Sequence, residues 1–441
     1  MAQEVLAGAA EAKITPPLGT EMSGFASRDH ACSAIRDDLY ARALVVEGAG
    51  QALGLVVVDL LGLSFEQVAE IRAAVAQATA IAEEALMICA THTHNGPAVA
   101  PLRGMGQPQR EYVQRTLKTV AATVRRAWER RAPCALAWGR KHGVRIGANR
   151  RERQPDGTFR LGVNPEGPYA DHVDALCVLR DGAPAAVFAV HAAHPVTLGA
   201  ESYAISAEWC GAAARFIRRK LGNEVIALVT TGCCGNVNCN RRGDREALLE
   251  ENGRIVGAAA AEICSGAAPG KALPLGAKRR VIGLPAQPLP SEAEAQGQLE
   301  VARKTLRDAR AAGKPGRIRW AEAYVQWAEE VLRLVRAGAR REPERFEIHA
   351  LRLGELAVVG LSGEVFVEYQ LEIDRTSPFA QTIVCGTTNG CVGYVPTAQA
   401  FGEGGYEVEQ AYKFYDRPTM LAPECEGVLL EAVKELLAEM R

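Results

Sequence analysis

Residues 53–97 read LGLVVVDLLGLSFEQVAEIRAAVAQATAIAEEALMICATHTHNGP, and this stretch decides the fold class. Leu53–Val58 is a strand-length run of apolar and β-branched side chains. Ser64–Ala85 has helical composition and opens on Ser64, a residue suited to accept the unpaired N–H groups of a first turn. Leu86–Thr91 is a second short apolar run, and it leads into Thr91-His-Thr-His-Asn-Gly-Pro97. Strand, helix and strand in that order predict a βαβ unit and a sheet that is at least partly parallel.

Working outward, Ala43–Val46 reads as a strand set off by the turn Glu47-Gly-Ala-Gly50, and Gln109–Arg131 as an amphipathic helix. The theme recurs as strand Ala185–His191, helix Ala207–Leu221 and strand Val225–Thr230. That strand enters the turn Gly232-Cys-Cys-Gly235, and residues 244–264 return to helix. Between 265 and 345 a Pro-rich stretch precedes two charged helical segments, Glu292–Ala312 and Arg317–Ala337, around Gly313-Lys-Pro-Gly316. They read as a helical hairpin inserted at about 290–340. Phe346–Leu353 and Leu356–Leu361 resume the sheet, and no internal repeat is visible. The expectation is an α/β fold, with a mixed sheet core, flanking helices and an inserted helical hairpin, in one large domain over residues 1–441.

Composition narrows the function. With 51 basic and 52 acidic residues in 441, the net charge of −1 lacks the basic surplus that nucleic-acid partners demand. Apolar runs such as Leu55–Leu61 are too short to span a bilayer, so no stable membrane insertion is expected. The N-terminus lacks the pattern of a secretory signal, which points to the cytoplasm. The 12 cysteines are scattered, several in apolar contexts (Cys89, Cys177, Cys264, Cys385), and are expected to be reduced. Cys233, Cys234 and Cys239 match neither a zinc-ribbon nor a ferredoxin spacing and read as small residues packing a tight turn.

Histidines at strand ends carry the chemistry. His92 and His94 follow one apolar strand, and two residues apart on extended backbone they share a face. A metal or catalytic role and a pair of capping histidines before a Gly-Pro turn are both open on spacing alone. His191 and His194 close a second such strand in VFAVHAAHPVTLG. Loops beyond strand ends are where α/β proteins gather polar groups, and zinc takes imidazole readily with a third ligand from elsewhere. Glu364, after Leu356–Leu361, is placed to supply it; alone it would read as a solvated charge or a helix-start residue.

The chain resembles the neutral (non-lysosomal) ceramidase family. The resemblance runs from AKITPPLGTEMSGFA through DDLYARALVVE, ATHTHNGP, HPVTLG…ISAE, GCCGNVN and SGEVFVEY to NGCVGYVPTAQAFGEGGYE, and leaves out the helical insertion. It implies one zinc ion held by His92, His194, Glu364 and Tyr394. It also implies that His94 lies beside the metal or substrate, that Tyr406 lines the site, and that Arg150 in GANRR binds a polar part of the substrate. Two departures matter. Asn238 stands in Gly235-Asn-Val-Asn-Cys239 where ceramide-cleaving members carry a serine, and the chain stops about 35 residues after Tyr406 instead of continuing into a β-sandwich. Both point away from ceramide itself.

The expected activity is zinc-assisted hydrolysis of an amide in a small-molecule substrate. His94 would serve proton transfer, Arg150 orientation, and Tyr406 with the Asn238 loop the developing oxyanion. Hydrolysis of a small lactam or ester on the same site, a non-catalytic zinc-stabilised binding protein, and a thiol-dependent hydrolase are the alternatives. Oligomeric state is not legible.

Overall fold

The computed structural model describes residues 5–270 and 272–441. The Ser64 signal is realised as a capping box: its hydroxyl accepts from the Gln67 N–H, and the Gln67 side chain accepts from the Ser64 N–H at 2.9 Å. The helix is shorter than the composition suggests, Phe65–Ala78, because Thr79 takes extended backbone and only a short 3₁₀ turn, Glu83–Ala85, follows. It carries the chain from strand Gln51–Val58 to strand Leu86–Ala90, which pair in parallel. Ahead of them Leu6–Lys13, Tyr40–Gly48 and Gln51–Val58 form an antiparallel meander, and helix Arg110–Glu129 closes the unit.

The same order recurs. Strands Ala135–His142, His172–Arg180 and Ala183–His191 are antiparallel neighbours. Helix Glu208–Leu221 leads to the parallel strand Ile226–Thr231, and helix Arg245–Gly266 follows. In the third unit the strands are Leu275–Leu284, Glu344–Leu353 and Leu356–Leu361, and helix Val367–Thr376 leads to the parallel strand Gln381–Cys385. Helix Cys425–Ala438 completes it. The chain thus runs strand, strand, strand, helix, strand, helix three times. Buried apolar side chains group largely by unit, although the first sheet's cluster reaches both of the others.

This corrects the expectation that no repeat is present. What recurs is topology, and it is masked by three unlike insertions at one place, between the first and second strands of each unit. The first insertion, residues 14–39, is a loop apart from the two-residue strand Ala34–Ile35; the second, 143–171, holds strands Gly147–Arg153 and Phe159–Asn164. The third, 285–343, holds the expected helical hairpin, Glu292–Ala311 and Pro315–Arg336. The second hairpin helix packs back on the first insertion, with Arg319 donating to the Arg28 carbonyl at 2.7 Å.

The cysteine expectation also needs correction. Cys177 and Cys264 form a disulfide between strand His172–Arg180 and helix Arg245–Gly266, with Cα atoms 5.6 Å apart. The pair was indistinguishable in sequence from the other buried cysteines, and it weakens the argument for the cytoplasm, where thiols stay reduced. Among the described residues no helix is long and apolar enough to cross a membrane.

Candidate active site

In each unit the third and fourth strands are parallel and end on the same side, so their C-terminal loops meet there. The loops after the third strands bring Leu61, His194 and Glu364. Those after the fourth bring His92 and His94, then Cys234 to Asn238, then Tyr394. Insertions supply the rim: Gly24 from the first and Arg150 from the second. The chain needs glycine where these loops touch, because a Cβ on Gly235 would lie 2.4 Å from the Glu364 carbonyl oxygen.

His92 and His94 do face one another, but not by extended backbone. His92 sits in the left-handed region at φ +60°, ended there by the turn after Ala90, and the two Nε2 atoms approach to 3.3 Å. His194 joins them, and the three rings offer ligand atoms all within 4.8 Å of one another. His92 Nδ1 faces the Leu61 carbonyl at 2.7 Å and His94 Nδ1 the Gly24 carbonyl at 2.9 Å. His194 Nδ1 faces the carbonyls of Cys234 and Val237. A carbonyl only accepts, so this network assigns the proton of each ring to Nδ1 and leaves Nε2 with a lone pair.

Glu364 Oε2 lies 3.2 Å from His92 Nε2 and 3.0 Å from His194 Nε2. Burial, with the Arg150 charge adding to it, pushes the His194 imidazole down to about 4. Burial and the neighbouring rings push His94 well below its ordinary value. His94 and His194 are therefore neutral near pH 7. One proton on the carboxyl would satisfy one contact and leave the others lone pair against lone pair; a cation satisfies all of them. The residues fit a metal such as zinc.

The remaining predicted residues surround this cluster. Tyr394 stacks on His194 with centroids 6.3 Å apart, and its hydroxyl is within reach of Glu364 and Arg150. Burial raises its phenol well above the ordinary value. Arg150 lies over the Tyr394 ring at 5.2 Å and the Tyr406 ring at 5.9 Å, and donates to Asn238 Oδ1 at 3.3 Å. Asn238 itself bridges alongside His194. The Arg150 charge is matched by Glu407, 2.8 Å from its Nε, while its buried Nη2 has no hydrogen-bond partner among the described residues. His191 is elsewhere, bound to the His172 carbonyl and the Tyr169 hydroxyl.

Burial raises the Cys234 and Cys239 thiols to about 12 and Cys233 well above its ordinary value. Thiols held neutral in this way agree with packing and not with a thiolate nucleophile. Sequence reasoning missed two residues. Tyr415 donates its hydroxyl to Glu364 Oε1, and Glu407 clamps both Arg150 and Arg151. Neither lies at a strand end, so nothing in the local pattern marks them. Beside His92 a cavity of about 110 Å³ opens, lined by Leu61, Leu63, Val99, Pro101, Leu102 and Tyr415 among others.

A buried cluster of imidazoles and a carboxylate at converging strand ends, beside an apolar cavity, is a candidate metal site of the kind that hydrolases use. Comparison with known families makes this particular: residues 5–277 match the model of the neutral/alkaline non-lysosomal ceramidase N-terminal region, and the chain belongs to that family. The fold is shared with the crystal structure of neutral ceramidase from Pseudomonas aeruginosa, at a TM-score of 0.77 and 18% identity over 100% of this chain and 75% of that one. A structure described as ceramidase complexed with C2 gives the same TM-score of 0.77 at 17% identity and the same coverage. No curated protein sequence matches the chain.

Proposed function

We propose that the protein is a zinc-dependent hydrolase of an N-acyl amide bond in a small molecule other than ceramide, with the metal held by His92, His194, Glu364 and Tyr394. The observation that carries this reading is the tautomer pattern. Three Nδ1 protons are committed to carbonyls, so the Nε2 lone pairs of His92 and His194 converge on a carboxylate oxygen 3.2 and 3.0 Å away. Family membership supports the hydrolase class. A bound zinc ion supplies a Lewis acid for the scissile carbonyl and lowers the pKa of water.

The chain's own residues do the rest. Tyr415 holds Glu364 through Oε1 and so keeps Oε2 aimed at the histidines. The unpartnered Arg150 Nη2 is a donor for the substrate carbonyl oxygen as charge develops on it, with Asn238 and Glu407 fixing the guanidinium. His94, neutral and with its lone pair on Nε2, would first take a proton there from the attacking water and then pass that proton to the leaving amine, and Tyr406 walls the site. The apolar cavity beside His92 is where the acyl group would lie. Asn238 in place of the family serine is the reason for preferring a substrate other than ceramide.

The test is metal analysis of purified protein combined with hydrolysis of N-acyl amides of graded chain length. Zinc near one equivalent at this site, activity abolished in His92→Ala, and a preference for short chains are expected. Activity equal to wild type in His92→Ala removes the metal assignment, and a preference for long chains removes the substrate assignment.

A further inference from the structure

A second set of metal-ligating side chains lies outside the active site. His142 ends strand Ala135–His142 and His172 begins strand His172–Arg180, and the antiparallel register sets the two directly opposite. Such partners hold their Cβ atoms about 4.5–5.5 Å apart, a spacing one ion spans with two imidazoles. The rings stand 5.6 Å apart between centroids, inclined at 62°. Asp171 adds a carboxylate 3.6 Å from His142 Nδ1, and one ligand atom from each of the three falls within 4.8 Å of the others. The turn is pinned by the Val144 N–H, which donates to the Asp171 carbonyl at 2.8 Å.

The buried member carries the outer support that metal-binding histidines use. His172 Nε2 faces Asp174 Oδ2 at 3.5 Å, with the Gln370 amide nitrogen packed on the same edge at 3.4 Å. Asp174 is gripped by Arg140 Nε at 2.7 Å and by Gln381 at 2.9 Å. With an ion on Nδ1 the ring keeps its proton on Nε2, facing Asp174; the Gln370 amide nitrogen can only donate and favours the other tautomer, so binding an ion moves the proton from Nδ1 to Nε2. His172 Nδ1 has no hydrogen-bond partner among the described residues. His142 and Asp171 are exposed, so the site is open to solution.

We propose that His142, Asp171 and His172 form a second binding site for a divalent transition metal of the zinc class. Two imidazoles and one carboxylate select such ions over calcium or magnesium. Water fills the remaining positions, and the site needs none of the active-site ligands.

Zinc titration of the demetallated full chain by calorimetry, on wild type, His142→Ala and His92→Ala, tests this. Wild type should bind two equivalents, and His142→Ala should lose one while keeping its zinc-free melting temperature. His92→Ala should lose or weaken only the other. Asp171→Asn should weaken the second equivalent at least tenfold. Equal stoichiometry in wild type and His142→Ala overturns the proposal, as does unchanged affinity in Asp171→Asn. If the active-site reading fails instead, wild type and His92→Ala bind one equivalent alike and His142→Ala binds none, so the two failures separate.

Discussion

Glu208 offers a stability prediction that follows from the fold alone. It opens helix Glu208–Leu221 fully buried, at φ +54°, and its Oε1 accepts the Leu198 N–H at 2.8 Å. That contact braces the loop running out of His194. Burial pushes the carboxyl up to about 7 from 4.5, against the pull of the Leu198 hydrogen bond, and nearby Asp37 raises it further. The folded chain therefore holds a proton that the unfolded chain releases between those two values. Stability contributed by this group falls as pH rises through that window, and the full penalty applies above about 7. By linkage that penalty reaches roughly 3 kcal/mol. Glu208→Gln keeps the acceptor for Leu198 and cannot ionise. Urea unfolding at pH 5 should give the variant nearly wild-type stability, whereas at pH 8.5 the variant should be more stable by about 1–3 kcal/mol. An equal difference at both pH values would refute the reasoning, since it would mean that the carboxyl's charge is not what the fold resists.

Tyr415→Phe removes a donor to Glu364 Oε1 and leaves the ring packing. Zinc affinity, measured by competition with a chromogenic chelator, should fall by about 10–100-fold with little change in melting temperature; unchanged affinity would mean that Tyr415 only fills space. Cys234→Ala should keep hydrolysis within a few-fold of wild type and remain indifferent to iodoacetamide, because burial holds that thiol at about 12. Loss of all activity with intact metal content would restore the thiol as a participant.

The sequence displayed what depends on short-range chemistry. Apolar runs marked the strands, Ser64 marked a helix start, and histidines at strand ends marked His92 and His194, because strand ends are local features. Glu364 and Tyr394 needed the family resemblance, since a lone Glu or Tyr after a strand has common bland roles. Tyr415 and Glu407 were invisible, because each acts through a partner some 50 residues or more away in sequence: Glu364 at 51 and Arg150 at 257. The Cys177–Cys264 pairing, 87 residues apart, was hidden for the same reason. His92 takes left-handed backbone and sets its Nδ1 against the Leu61 carbonyl, 31 residues earlier, a contact that the local pattern does not mark.

The hidden repeat explains why these distant residues meet at all. Each unit presents two parallel strand ends to one side, and the six loops beyond them have to share that crevice. The units differ in what is inserted between their first and second strands, and each insertion serves the site differently. The first brings the Gly24 carbonyl that fixes the His94 tautomer, and the second brings Arg150. The third, the helical hairpin, bears on the first through Arg319 and on the segment carrying Tyr415 through Trp327, which donates to the Arg417 carbonyl at 3.1 Å. Among the described residues the hairpin makes no hydrogen bond to His92, His194, Glu364 or Tyr394, yet it clamps the two segments that hold His94 and Glu364 in place. Shortening it should therefore loosen the site before it unfolds a sheet, seen as lost zinc affinity with the far-ultraviolet strand signal retained. Loss of both together would show the hairpin to be part of the core that the three sheets share.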